Sequence, residues 1–281
     1  MKDSVAGLNA YQIAGLRIFS AGLFFFPFAV FHFRKIPGNK LGLVILSAVF
    51  GNLLPAFLFA VALVHIDGSL GGILNSLTPI CVAVISIIFF KEKIKSRKII
   101  GILTGFAGLV LLSTLPALYG QKNIRFDNLD YTLLILLATL LYGINVNMVG
   151  HYLKEMNPFH IATVSLAFMM IPTGIILWQQ GIIDADMNND AVRYSVFASV
   201  ALGIFGSAIA TVLFYILVQR AGGLFASLVT YGIPFVALFW GIIDNEKVTW
   251  IQVVCLGIIL FGVYLANRPE NKKATPVSEV A

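Results

Sequence analysis

The chain has 281 residues, 59% of them hydrophobic and only 11% charged, with a mean hydropathy of +0.91. Soluble domains carry roughly 25% charged residues and could not hide so much apolar surface in one core, so a soluble globular protein is excluded and an all-α polytopic membrane protein, with the lipid bilayer as its first partner, is indicated. The formal charge of +6 and pI near 9.3 come from lysines and arginines on connections between apolar runs, which excludes a nucleic-acid-binding domain and fits cytoplasmic loops.

Apolar runs of roughly 20 residues are long enough to cross a membrane. Nine are predicted, at 11–31, 41–64, 70–90, 99–118, 131–150, 159–178, 196–217, 224–243 and 250–266. The first ten residues hold no apolar core, so no cleavable signal peptide is expected. Cys81 and Cys255 lie inside apolar runs and read as packed small hydrophobes, with no disulfide or metal site implied. No cofactor motif is present, and none of the signatures of a membrane-embedded enzyme, such as HExxH or a serine with a base partner, falls within a span. The polar tail 268–281 contains two prolines and is expected to be disordered.

The runs repeat. The stretch GGILNSLTPICVAVISIIFFKEKI from Gly71 matches ASLVTYGIPFVALFWGIIDNEKV from Ala226, aligning Pro79 with Pro234 and Glu92 with Glu246. Polar residues precede each proline: Asn75, Ser76 and Thr78 in one copy, Thr230 and Tyr231 in the other. LNAYQIA (from Leu8) matches MNPFHIA (from Met156), VFGN (from Val49) matches IFGS (from Ile204), and Gly108 matches Gly262. Four spans of the first half thus pair with four of the second. The run 131–150 has no partner, and its equivalent would lie ahead of residue 1. The expected plan is therefore two repeats of five helices, 1–118 and 131–267, joined by an external connection at 119–130, with the first helix missing here. A start assigned too far downstream and a true nine-span protein both account for that gap.

Charge orients the spans. With the Pro79 run entering from outside, the inner connections carry Arg34, Lys35 and Lys40, then Lys91, Lys93, Lys95, Arg97 and Lys98, and the tail adds Arg268, Lys272 and Lys273. The outer connections carry far fewer, so the C-terminus is expected in the cytoplasm and the protein in the cell membrane. An odd number of helices per repeat inverts the second half. The basic exit after Glu92 and the depleted exit after Glu246 agree with opposite sides. Inverted repeats with broken helices are the plan of alternating-access carriers, and the breaks point to the substrate site.

Arg17 lies within a span, where a charge costs on the order of 2–3 kcal/mol or more at mid-bilayer. It reads either as a cavity-facing cation for a substrate carboxylate or phosphate, or as a snorkelling or helix-pairing arginine. Pro79 and Pro234 each free a carbonyl one turn back, which survives only where protein or water satisfies it. Ser207, Thr211, Tyr215 and Gln219 recur every four residues and form one polar stripe that must face the bundle interior. Asn52, Tyr142 and Asn145 add polarity deep in other spans. The cavity candidates are thus Arg17, Asn52, Asn75, Pro79, Tyr142, Asn145, Ser207, Thr211, Tyr215, Thr230, Tyr231 and Pro234. Glu92 and Glu246 read as interfacial anchors, Gly101, Gly105 and Gly108 as sites of close helix approach, and Trp178 and Trp250 as belt anchors.

AYQIAGLRIFSAGLFF (from Ala10), LTPICVAVISIIFFKEKI (from Leu77) and GILTGFAGLVLL (from Gly101), with their second-half partners IPFVALFWGIIDNEKV and CLGIILFGVYL, resemble the EamA-type branch of the drug/metabolite transporter superfamily. The resemblance covers nearly the whole chain. It implies ten helices in two inverted repeats, both termini cytoplasmic, and export of small metabolites such as amino acids. The absent first helix departs from that pattern. No aspartate or glutamate lies deep in a span, which argues against a proton-coupled exporter of cationic drugs and favours neutral, zwitterionic or anionic cargo. A channel, sensor or structural membrane protein is the other reading left open.

Overall fold

A computed structural model describes residues 7–66, 68–118, 129–243 and 249–268. Among them every regular element is helical: α1 Ala10–His32, α2 Gly38–Ala48, α3 Leu54–His65, α4 Gly68–Asn75, α5 Thr78–Phe90, α6 Ser96–Leu118, α7 Leu129–Tyr152, α8 Pro158–Gln179, α9 Asp190–Gly203, α10 Ala210–Ala221, α11 Gly223–Ser227, α12 Ile233–Ile243 and α13 Trp250–Asn267. A π turn, Val49–Leu53, joins α2 to α3 without interruption, and a second, Ile204–Ile209, joins α9 to α10. Among the described residues eight helical runs are long and apolar enough to cross a membrane. The ninth predicted span is α11 and α12 with the 3-10 turn Leu228–Gly232 between them. Glu246, the tail beyond Arg268 and the expected helix ahead of residue 1 fall outside the described residues, as does most of the connection 119–130.

The helices are apolar all round, as lipid on one side and protein on the other require. Large side chains such as Phe31, Phe89, Ile171, Leu213 and Phe261 point outward, while Ser47, Thr139, Thr163, Ser165 and Thr173 are fully buried. Each of those hydroxyls donates to a carbonyl three or four residues back, as Ser47 to Val44 at 2.7 Å and Thr173 to Met169 at 2.6 Å. A polar group that satisfies itself within its own helix can sit at a tight helix contact without an unpaired donor.

The all-helical protein is built from inverted repeats, and equivalent helices of the two halves pack on each other: α1 against α8, and α6 against α13. The second contact depends on glycine. A Cβ on Gly101 would meet the Ala266 nitrogen at 2.5 Å, and one on Gly262 would meet the Gly105 nitrogen at 2.4 Å. The backbones therefore touch, which is how helices gain dispersion energy where lipid removes the hydrophobic drive. Trp178 and Trp250, near helix ends, are 70% and 74% exposed.

The two proline runs are not kinked single helices. In the first, α4 stops at Asn75 and α5 begins at Thr78, leaving Pro79 in the first turn of a new helix, where its missing N–H costs nothing. In the second, the 3-10 turn Leu228–Gly232 precedes Pro234 in the first turn of α12. The freed carbonyls find local donors: Thr78 Oγ1 donates to the Asn75 carbonyl at 2.6 Å, and the Ile233 N–H donates to the Thr230 carbonyl.

Candidate functional site: a polar cavity between the repeats

The π turns Val49–Leu53 and Ile204–Ile209 are the repeated words VFGN and IFGS. A π turn takes one residue more than an α turn and re-aims the side chains around it. Here each turn sends its polar residue inward: Asn52 is 9% exposed and Ser207 1%. Both then bond across the halves. Arg17 Nε donates to Ser207 Oγ at 2.7 Å, and Thr211 Oγ1 donates to Asn52 Oδ1 at 3.1 Å. Gly203 brings the second turn close enough, since a Cβ there would lie 2.0 Å from Ser20 Oγ and 2.4 Å from the Arg17 carbonyl.

The polar stripe on α10 and its π turn is bonded along its whole length. Beyond Ser207 and Thr211, the Tyr215 hydroxyl donates to the Ser47 carbonyl at 3.3 Å, and Gln219 Nε2 donates to the carbonyls of Leu153 and Met156 at 2.9 and 3.0 Å.

Between these elements lies a cavity of about 480 Å³. Its lining brings together Arg17, Asn52, Asn75, Tyr142, Asn145, Thr211, Tyr215 and Thr230 from α1, the two π-turn spans, both broken runs and α7. Ser207 sits behind Arg17 rather than in the lining. Pro79 and Pro234 stand beside the helix breaks, outside the lining, and position Thr78 and Thr230 rather than contacting the space. Tyr231 turns the other way: its ring packs where a Gly105 Cβ would be, and its hydroxyl donates to the Ile102 carbonyl at 2.9 Å. It belongs to the α6–α13 packing.

The residues that sequence reasoning missed are mostly small or apolar: Ser227, Gly206, Ala210, Val146, Phe214 and Val229. Only Ser227 carried a signal, being one helical turn before Thr230. The apolar ones look like any other lipid-facing or packed residue of a span.

Two unpaired groups define the chemistry. Arg17 spends Nε on Ser207, and its two terminal nitrogens have no partner among the described residues. Among the described residues no carboxylate lines the cavity. Asn145 is 3% exposed, lines the same space, and its Oδ1 has no hydrogen-bond partner. Its amide nitrogen lies against Gly51, where a Cβ would approach it to 2.2 Å. Buried polar groups are almost always paired. A half-buried guanidinium edge and a buried acceptor thus line one space, as a donor pole and an acceptor pole. Among the described residues no group of histidine, cysteine, aspartate and glutamate could hold a metal ion.

The sequence pattern of the EamA-like transporter family matches residues 1–114 and 131–268, the two halves of the repeat. An uncharacterized transporter of Archaeoglobus fulgidus is 26% identical over 270 residues, which cover 95% of this chain and 92% of the relative. The WAT1-related protein At3g02690, chloroplastic, of Arabidopsis thaliana is 25% identical over 96% of this chain and 66% of its own length. The uncharacterized transporter sll0355 of Synechocystis is 25% identical over 97% of this chain and 86% of its own. A solved crystal structure, described only as that of a protein, shares the fold with a TM-score of 0.70 at 16% identity, over 95% of this chain and 89% of the other. With both halves matched and the helices able to span a bilayer, the chain belongs to the EamA-like transporter family, an EamA-type branch of the drug/metabolite transporter superfamily.

Proposed function

We propose that this membrane transporter is a secondary carrier and exporter of small metabolites that bear an anionic head and an apolar body, amino acids foremost, and that it works by alternating access between its two inverted halves. The observation that carries the reading is the pairing of poles in one cavity: the unpartnered terminal nitrogens of Arg17 and the unpartnered Oδ1 of the buried Asn145. A guanidinium edge matches a carboxylate in bidentate geometry, and an amide oxygen accepts from an ammonium or hydroxyl. The remaining wall, with Val146, Leu213, Phe214, Leu217 and Val229, is apolar and suits an aliphatic or aromatic body. The positive-inside bias supports a cytoplasmic C-terminus.

The test is counterflow of radiolabelled leucine into proteoliposomes, competed by unlabelled leucine, leucinamide and 4-methylpentanoate. Leucine is expected to compete fully, leucinamide not at all because it lacks the carboxylate, and 4-methylpentanoate weakly because it lacks the ammonium. Equal competition by leucinamide would remove Arg17 from the site. Non-saturable flux would favour a channel instead.

A further inference from the structure

At the membrane end where α5 and α13 finish and α6 begins, a second cavity of about 610 Å³ opens between the halves. From the first half, the α5–α6 connection supplies Glu92, Lys93 and Ile94, and the first turn of α6 supplies Lys98. From the second half come the α10–α11 break and the end of α13 with Arg268. Gly222 makes that break at φ 91°, with nothing within 4 Å of its would-be Cβ, so the wall is open there. This cavity shares no lining residue with the central one.

The cations are held in place. Arg97 donates through Nη2 to the Arg268 carbonyl, and a Cβ on Gly101 would meet the Ala266 nitrogen at 2.5 Å. The start of α6 and the end of α13 are therefore one unit, which carries Lys98 and Arg268 together. The lining has three cations, Lys93, Lys98 and Arg268, against one carboxylate, so its balance is positive. That carboxylate is already engaged: Glu92 Oε2 accepts from Ser86 Oγ, and Oε1 lies 3.0 Å from His151 Nε2. Glu155, on the α7–α8 connection, is not in the lining. Lys98 is half-buried, and among the described residues neither its ammonium nor that of Lys93 has a hydrogen-bond or ion-pair partner. Much of the remaining wall is apolar, with Ile94, Leu224, Leu228 and a Phe225 that is 40% exposed. An occupant that fits both parts carries negative charge beside hydrocarbon. Free phosphate meets only the first need; a phospholipid meets both, and helix ends lie at headgroup level.

We propose that this cavity binds the phosphate-bearing headgroup of an anionic phospholipid. Lys98 and Arg268 hold the phosphate by charge-assisted hydrogen bonds, Lys93 closes over it, and Leu224 and Phe225 lie along the start of an acyl chain. Because the lining comes from both halves, the bound lipid bridges them at this end. The assignment is independent of the cargo that the central cavity takes.

Native mass spectrometry of the full chain, delipidated in detergent, decides it by titration with phosphatidylglycerol or phosphatidylcholine of identical acyl chains. The first phosphatidylglycerol is expected to bind more tightly than any phosphatidylcholine. Lys98→Gln and Arg268→Gln should each weaken that first lipid roughly fivefold and leave phosphatidylcholine unchanged. Arg34→Gln removes an exposed cation of the same membrane end, outside this lining, and should change neither lipid. Equal binding of the two lipids, or an equal loss in Arg34→Gln, overturns the proposal. Inorganic phosphate in large excess is expected to leave phosphatidylglycerol bound; displacement would make this a site for the free anion and overturn the lipid assignment. The thermal unfolding midpoint gives a second readout. Phosphatidylglycerol, and not phosphatidylcholine, should raise it in the wild type, and the rise should be lost when Lys98→Gln and Arg268→Gln are combined. A rise of equal size in that double variant overturns the proposal.

Discussion

At the scale of single residues, Arg17 and Asn145 carry the heaviest consequences. Arg17 is a half-buried cation within a span, where a charge without a counter-ion is costly, and a cavity beside it lets a ligand supply the missing charge. Replacing Arg17 by alanine removes a charge-assisted contact of about 1.5–3 kcal/mol. The half-saturating leucine concentration in counterflow should rise roughly tenfold to a hundredfold. Arg17→Lys should recover only part of this, because an ammonium cannot bond Ser207 and a carboxylate in the same fork. Gly51 acts through Asn145: a methyl at that position would lie 2.2 Å from the amide nitrogen. Gly51→Ala should therefore weaken counterflow while leaving the monodisperse folded protein intact on size-exclusion chromatography, since the displaced group is a side chain and not backbone.

The elements are held by backbone approach rather than by amphipathic faces. Gly203 is the tightest case, with a Cβ blocked by both Ser20 Oγ and the Arg17 carbonyl. Gly203→Ala should separate α9 from α1, cost roughly 1–3 kcal/mol as overpacking does, and lower the thermal unfolding midpoint in detergent. Gly257 on α13 has nothing within 4 Å of its would-be Cβ, so Gly257→Ala should leave the midpoint unchanged or raise it slightly. The broken runs are a finding at this scale. A proline inside an apolar run reads as a kink, yet both prolines occupy first turns of new helices, because the residues before them can close 3-10 or hydroxyl-to-carbonyl bonds.

For the whole molecule, the pairing of α1 with α8 and of α6 with α13 leaves the cavity between the halves, so a relative motion of the halves would open it to one side or the other. The orientation expected from the lysines and arginines is testable by labelling single cysteines with a membrane-impermeant maleimide in intact cells and in inverted vesicles. Arg97→Cys, at the start of α6, should react only from the cytoplasmic side, and Gln180→Cys, after α8, only from outside. Reaction of both from one side would break the inverted topology.

Much of this was readable along the chain, and the physical limits of that reading are specific. Membrane burial, the span positions and the repeat follow from composition and local pattern, because lipid demands long apolar helices whatever packs beside them. The four-residue spacing of Ser207, Thr211, Tyr215 and Gln219 put them on one face by helix geometry alone. The partners of that face could not be read: Arg17 for Ser207, Asn52 for Thr211, and the Ser47, Leu153 and Met156 carbonyls for the rest lie far away in the chain and meet only through packing. Tyr231 shows the same limit. It stands next to cavity-lining Thr230, but the 3-10 turn rotates it onto Gly105, where small residues on α6 leave room for a ring. The amino-acid sequence by itself determined the solvent, the spans and the inverted halves, since these depend on local transfer energies and periodicity. Only the tertiary structure decided which polar groups remain unpaired in a common space, because pairing is a property of the assembled neighbours and not of any one helix.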